Sequence, residues 1–149
     1  MKPTLGHLAR RFLGVWRARP LRPAEQAAVA HLTGPAEAAL FWSQPVCDQR
    51  HGFDCATRVL VLAPSRDDLA AAALLHDVGK RHARLGAIGR ALATAAAILH
   101  LPLSRRGAAY RQHAGSGAAD LEAAGAPPTV VAFAGLATLL TSLAFTPVF

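Results

Sequence analysis

The chain predicts an all-α domain, a compact bundle of about six to eight helices. Three observations carry that expectation. Hydrophobic residues make up 52% of the 149, much of it alanine, the strongest helix former, and β-branched runs are few. Prolines and glycines cut the chain into segments of helical length, at Pro20-Leu21-Arg22-Pro23, Thr33-Gly34-Pro35, Ala63-Pro64-Ser65, Gly86, Pro102 and Gly125. Within these segments apolar residues recur at helical spacing. The length suits one domain with a sizeable core.

The elements follow in order. Leu5, Leu8, Phe12, Val15 and Trp16 share a helical stripe, with Arg10, Arg11, Arg17 and Arg19 mostly opposite. That segment has no long apolar run and no small-residue cleavage pattern, so it does not read as a signal peptide. Its stripe is expected to pack on the domain, with a membrane surface as the alternative. Pro23 opens a helix to about His31, and Pro35 leads into one over Ala36 to Trp42. Pro45 opens a longer helix carrying Cys47, His51, Asp54, Cys55 and Val59. Ser65 with Asp68 resembles a capping box for the next, Arg66 to His76, which is apolar all round from Leu69 and so expected to be buried. An Ala-rich helix follows to about His100. Ser104 caps another that carries Tyr110 and His113 and runs through Leu121. Pro127-Pro128 begins the last. Residues 1–45 thus read as a basic helical lead-in, 46–128 as the core and 129–149 as an apolar tail.

After Glu122 no charged residue occurs. At about 1.5 Å of rise per residue the tail is long enough to cross a bilayer core of about 30 Å. Gly135, Thr138, Thr141, Ser142, Thr146, Pro147 and the lack of a basic flank argue instead for a buried final helix. The tail therefore has three readings: a buried helix, a membrane contact through residues 129–149, or an aberrant reading-frame product beginning near Val131.

The formal net charge is +7, nearly all from arginine, and the pI is about 11.0. Such a balance suits nucleic acid or an anionic membrane, or simply a solvated arginine face. With no recognised nucleic-acid motif, no specific nucleic-acid partner is expected. Cys47 and Cys55 stand eight apart, about 12 Å along a helix, too far for a disulfide, so free thiols in a reducing cytoplasmic compartment are expected.

Chemistry concentrates at Leu74-Leu75-His76-Asp77-Val78-Gly79-Lys80, where an apolar helix ends in an adjacent His-Asp pair. Both side chains ligate divalent ions, and at a helix end they can turn toward one. Gly79 fits a left-handed residue closing the helix. Lys80 adds a cation where an anionic substrate could dock. His51 lies 25 positions earlier, and antiparallel helices joined by a short turn would bring it to that end. Asp54, three residues on, shares its face and could orient it. His7, His31, His82 and His100 have no evident partner.

From Asp48 to Val131 the chain resembles the HD-domain superfamily of metal-dependent phosphohydrolases, whose mark is a His, then a His-Asp pair, then a distant Asp. The resemblance implies an HD-domain-like bundle with His51, His76 and Asp77 holding a divalent ion. It implies a phosphorylated small molecule or nucleotide as substrate. His113, in His113-Ala114-Gly115-Ser116-Gly117, matches a stretch whose His in such relatives binds a second metal or a substrate phosphate. Lys80, His113 and Arg50 are the expected phosphate contacts. Mixed His and carboxylate ligands do not choose among Mn²⁺, Fe²⁺, Mg²⁺ and Zn²⁺. The final Asp of the pattern is missing, because no acid follows Glu122. Three protein ligands and water can still hold a catalytic ion, but more weakly. A degenerate phosphohydrolase, a non-catalytic signalling or interaction module of the same fold, and a membrane-associated helical protein are the three functions left to separate.

Overall fold

The computed structural model describes residues 18–143. The arginine-rich amphipathic helix expected at the start lies almost wholly outside them. Among the described residues the protein is all-helical: eight α-helices, one 3₁₀ segment and no strand. The helices are α1 (Pro23–Leu32), α2 (Pro35–Trp42), α3 (Val46–Leu62), α4 (Asp67–Leu75), α5 (Ala87–Ile98), α6 (Arg105–Arg111), α7 (His113–Ala123) and α8 (Pro128–Leu143). The 3₁₀ segment, Val78–Ala83, joins α4 to α5.

Local chemistry explains the helix starts. Pro23 and Pro35 stand at the first helical positions, where a missing N–H costs nothing. Glu25 Oε2 accepts from the Arg22 amide and Glu37 Oε2 from the Gly34 amide, each at 2.7 Å. Ser104 Oγ accepts from the Gly107 amide at 3.2 Å, as its cap position requires. Ser65 does not cap α4. The N-cap is Arg66, whose side chain instead grips Asp68 with bonds of 2.8 and 2.7 Å. The single helix expected from Ser104 through Leu121 is broken at Gln112, whose backbone (φ −90°, ψ 9°) lets His113 start a new helix.

α4 is the hub. Residues Ala70 to Leu75 are all buried, and α1, α2, α3 and α8 pack against it. Alanine side chains are short, so the neighbours of such a helix must come close to touch it. One cluster joins Leu21, Val29, Phe41, Ala56, Leu74, Leu75, Val78, Leu121, Val130 and Ala134. The core thus draws on the lead-in, the centre and the start of the apolar tail. No helix among the described residues is long and apolar enough to cross a membrane.

Two glycines set the closest approaches. A Cβ at Gly52 would collide with the carbonyl of Leu74, so α3 and α4 meet there backbone to backbone. A Cβ at Gly79 would collide with the carbonyl of His113 and lie 2.6 Å from the Gly117 nitrogen. Gly79 therefore serves contact rather than chain reversal. It lies inside the 3₁₀ segment, and the left-handed residue closing that segment is Arg84, at φ 47°. The expectation that Gly79 would adopt that conformation is corrected.

Gly79→Ala should therefore cost at least about 2 kcal/mol, because two backbones must separate. Gly86→Ala should stay within about 0.5 kcal/mol, since nothing lies within 4 Å of the added methyl. Urea unfolding midpoints of both variants check this; equal midpoints would contradict the packing described.

Candidate metal centre

The two backbone contacts frame one carboxylate. Gly52 follows His51 and Gly79 follows Asp77 by two. Closing α3 onto α4 carries His51 to the end of α4, where His76 and Asp77 emerge. Closing the 3₁₀ segment onto α7 carries His113 to the other side of Asp77.

The side chain of Asp77 is 5% exposed. Its Oδ2 lies 3.2 Å from His76 Nε2 and 3.8 Å from His51 Nε2. Its Oδ1 lies 3.4 Å from His113 Nε2. Lys80, one 3₁₀ turn on and also buried, donates its ammonium to Oδ2. The His51 and His76 rings meet edge to face, with centroids 5.4 Å apart. One ligand atom each from His51, His76 and Asp77 falls within 4.8 Å of the others, so these three could hold a metal ion.

Ring orientation is fixed from behind. His76 Nδ1 donates to the Ala73 carbonyl at 2.7 Å, and His113 Nδ1 donates to the Tyr110 carbonyl at 2.7 Å. A carbonyl only accepts, so each ring carries a proton on Nδ1 and turns Nε2 toward Asp77, to which Nε2 donates when the ring is doubly protonated. A backbone carbonyl behind the ring is the arrangement that orients a ligating histidine and raises its basicity.

Burial pushes the Asp77 carboxyl up, but His113, His76 and the Lys80 charge outweigh it, and its pKa lies well below the ordinary 3.8. Asp77 is therefore an anion at neutral pH. Burial lowers the pKa of His76, but the hydrogen bond and charge of Asp77 win, and it lies above the ordinary 6.5. Cys55 stands one turn after His51, with Sγ 3.8 Å from Nε2. Burial and then the Asp77 charge push its thiol up, so it stays neutral rather than serving as a thiolate. Both Cys55 and Cys47 are free thiols.

Other expected site residues lie elsewhere. Arg50 is committed to Glu25, at 2.9 and 3.0 Å, and to the carbonyls of Arg19 and Pro20. It ties the lead-in to α3. Asp54 is exposed, and the carboxylate His51 faces is Asp77. His82, which had no evident partner, bonds Asp120 at 2.7 Å, and Arg81 joins the same carboxylate at 3.0 Å. Arg90 grips Asp48 with two bonds of 2.5 and 2.6 Å. These two pairings span 38 and 42 residues, and no local pattern in the sequence signals them.

Compared with models of known families, with curated proteins and with solved structures, the chain matches none.

The shifted His76 links to stability with a definite sign. Its folded pKa exceeds the unfolded value, so its contribution is complete below about pH 6.5 and is lost as pH rises through the raised value. Denaturant unfolding of the metal-free protein should show stability falling with pH across that window, with the fall absent in His76→Gln. An unchanged slope in the variant would contradict the Asp77–His76 contact.

Proposed function

We propose that the protein is a metal-dependent phosphohydrolase of the HD-domain kind, acting on a nucleotide or another phosphate ester through a weakly held ion. The observation that supports it most is the convergence of three imidazole Nε2 atoms on one buried carboxylate. His51, His76 and Asp77 would hold the ion. When bound, a divalent ion supplies Lewis-acid charge that neutralises phosphate oxygens and acidifies water. His113, on the opposite carboxylate oxygen, would steady the phosphate, joined by the Lys80 ammonium once it leaves Asp77.

The same geometry argues that the ion is weakly held. Lys80 already sits on Oδ2, the oxygen that His51 and His76 also face. An incoming cation competes with that ammonium for one negative charge. This competition favours a second reading, a module that keeps the fold and binds an ion or nucleotide without turnover.

Activity on an aryl phosphate with added Mn²⁺ separates the two. The hydrolase reading expects turnover in the parent and background rates in Asp77→Ala; equal rates in both would refute it. Lys80→Met gives a second check. Without metal it should unfold about 3 kcal/mol more easily, because Asp77 loses its buried partner. Mn²⁺ should then raise its melting temperature more than it raises the parent's. An equal gain would mean that Lys80 and the ion do not share Asp77.

A further inference from the structure

α5 is built inside out for a surface helix. Its one charged residue, Arg90, turns inward to Asp48, and Ala93, one turn on, is buried. The large apolar residues point outward. Ile88, Leu92 and Leu99 are 60, 64 and 65% exposed, and with exposed Ala95 they follow a four-three-four spacing that sets them on one stripe. The turn that ends α5 lengthens this stripe. His100 takes φ 53°; its amide donates to the Ala97 carbonyl and the Leu101 amide to the Ala96 carbonyl, at 3.3 and 2.8 Å. Such a left-handed closure folds Leu101, which is 54% exposed, back to the helix end. An outward face with no charge and large apolar side chains along it marks a contact surface.

The charge around the stripe shows what meets it. Between Asp77 and Asp120 the chain has seven cations and no acid. Lys80, Arg81 and Arg90 are paired with carboxylates. Arg84, Arg105, Arg106 and Arg111 are exposed and form no ion pair among the described residues. Arg84 lies four residues before Ile88 and Arg105 four residues after Leu101, so unpaired cations follow the chain at both ends of the stripe. Nucleic acid would meet these arginines but leave the leucines in water. A second copy would cover the leucines but bring like charges together. An anionic lipid surface satisfies both, with head groups against guanidinium and acyl chains against leucine.

We propose that α5 and the turn after it are an interfacial anchor that lays the protein on an anionic membrane. At 12 residues, about 18 Å, α5 is too short to cross a bilayer and lies in the plane of its surface.

Co-sedimentation of the full chain with phosphatidylcholine vesicles, with and without about 30% phosphatidylglycerol, tests this. The parent should bind the anionic vesicles at least about tenfold more tightly than the neutral ones. Leu92→Glu should weaken that binding about tenfold, with a melting temperature within about 3 °C of the parent's, because the side chain already stands in water. Arg105→Gln combined with Arg106→Gln should weaken binding to the anionic vesicles by a similar factor. A parent that ignores anionic vesicles would overturn the proposal. Unchanged binding in Leu92→Glu would overturn it as well, because attachment would then run through arginines alone or through residues 1–17 or 129–149. A parent that stays off vesicles and sediments as a dimer, with Leu92→Glu a monomer, would make the stripe a subunit interface instead.

Discussion

A buried negative charge at Asp77 is the constraint around which this protein is arranged. Taking a carboxylate out of water costs several kcal/mol unless its partners restore what water gave. Here they come from four places in the sequence: Lys80 and His76 beside it, His51 from α3 and His113 from α7. Two of those partners arrive only because Gly52 and Gly79 let backbones touch. The same glycines that close the core therefore assemble the cluster, and packing and electrostatics cannot be varied separately there.

Much of the fold was legible in the sequence, and for identifiable reasons. Alanine content and proline spacing gave the helix positions, and the apolar run after Leu69 foretold that α4 would be the buried hub. The break at Gln112 was not legible, because nothing in Tyr110-Arg111-Gln112-His113 is a strong breaker; past the break, the His113 backbone stands against Gly79. Ser65 failed as a cap because a two-residue Arg66–Asp68 pair won locally.

The site divides along the same line. His76 and Asp77 were readable as an adjacent pair at the end of an apolar helix, and His51 as a residue on the preceding helix. Grouping them needed only the antiparallel hairpin of α3 and α4. Lys80 was readable as a nearby cation, for a phosphate or for an acid; one 3₁₀ turn folds its ammonium onto Asp77. The acid that Arg50 pairs with, Glu25, is 25 residues away and belongs to the lead-in. Ion pairs across such distances leave no periodic trace, so sequence patterns report helices far better than they report which charges meet.

The carboxylate thus faces two claimants, an internal ammonium and an external cation, and which of them holds it decides whether the cluster is structural or chemical. Titration of the chelator-stripped protein with Zn²⁺ or Mn²⁺, read as heat or as bound metal, addresses that directly. The account predicts one saturable ion per chain in the parent, lost in Asp77→Asn and in His76→Ala. A parent that takes up no ion, or an Asp77→Asn variant that takes it up as well as the parent, would contradict it.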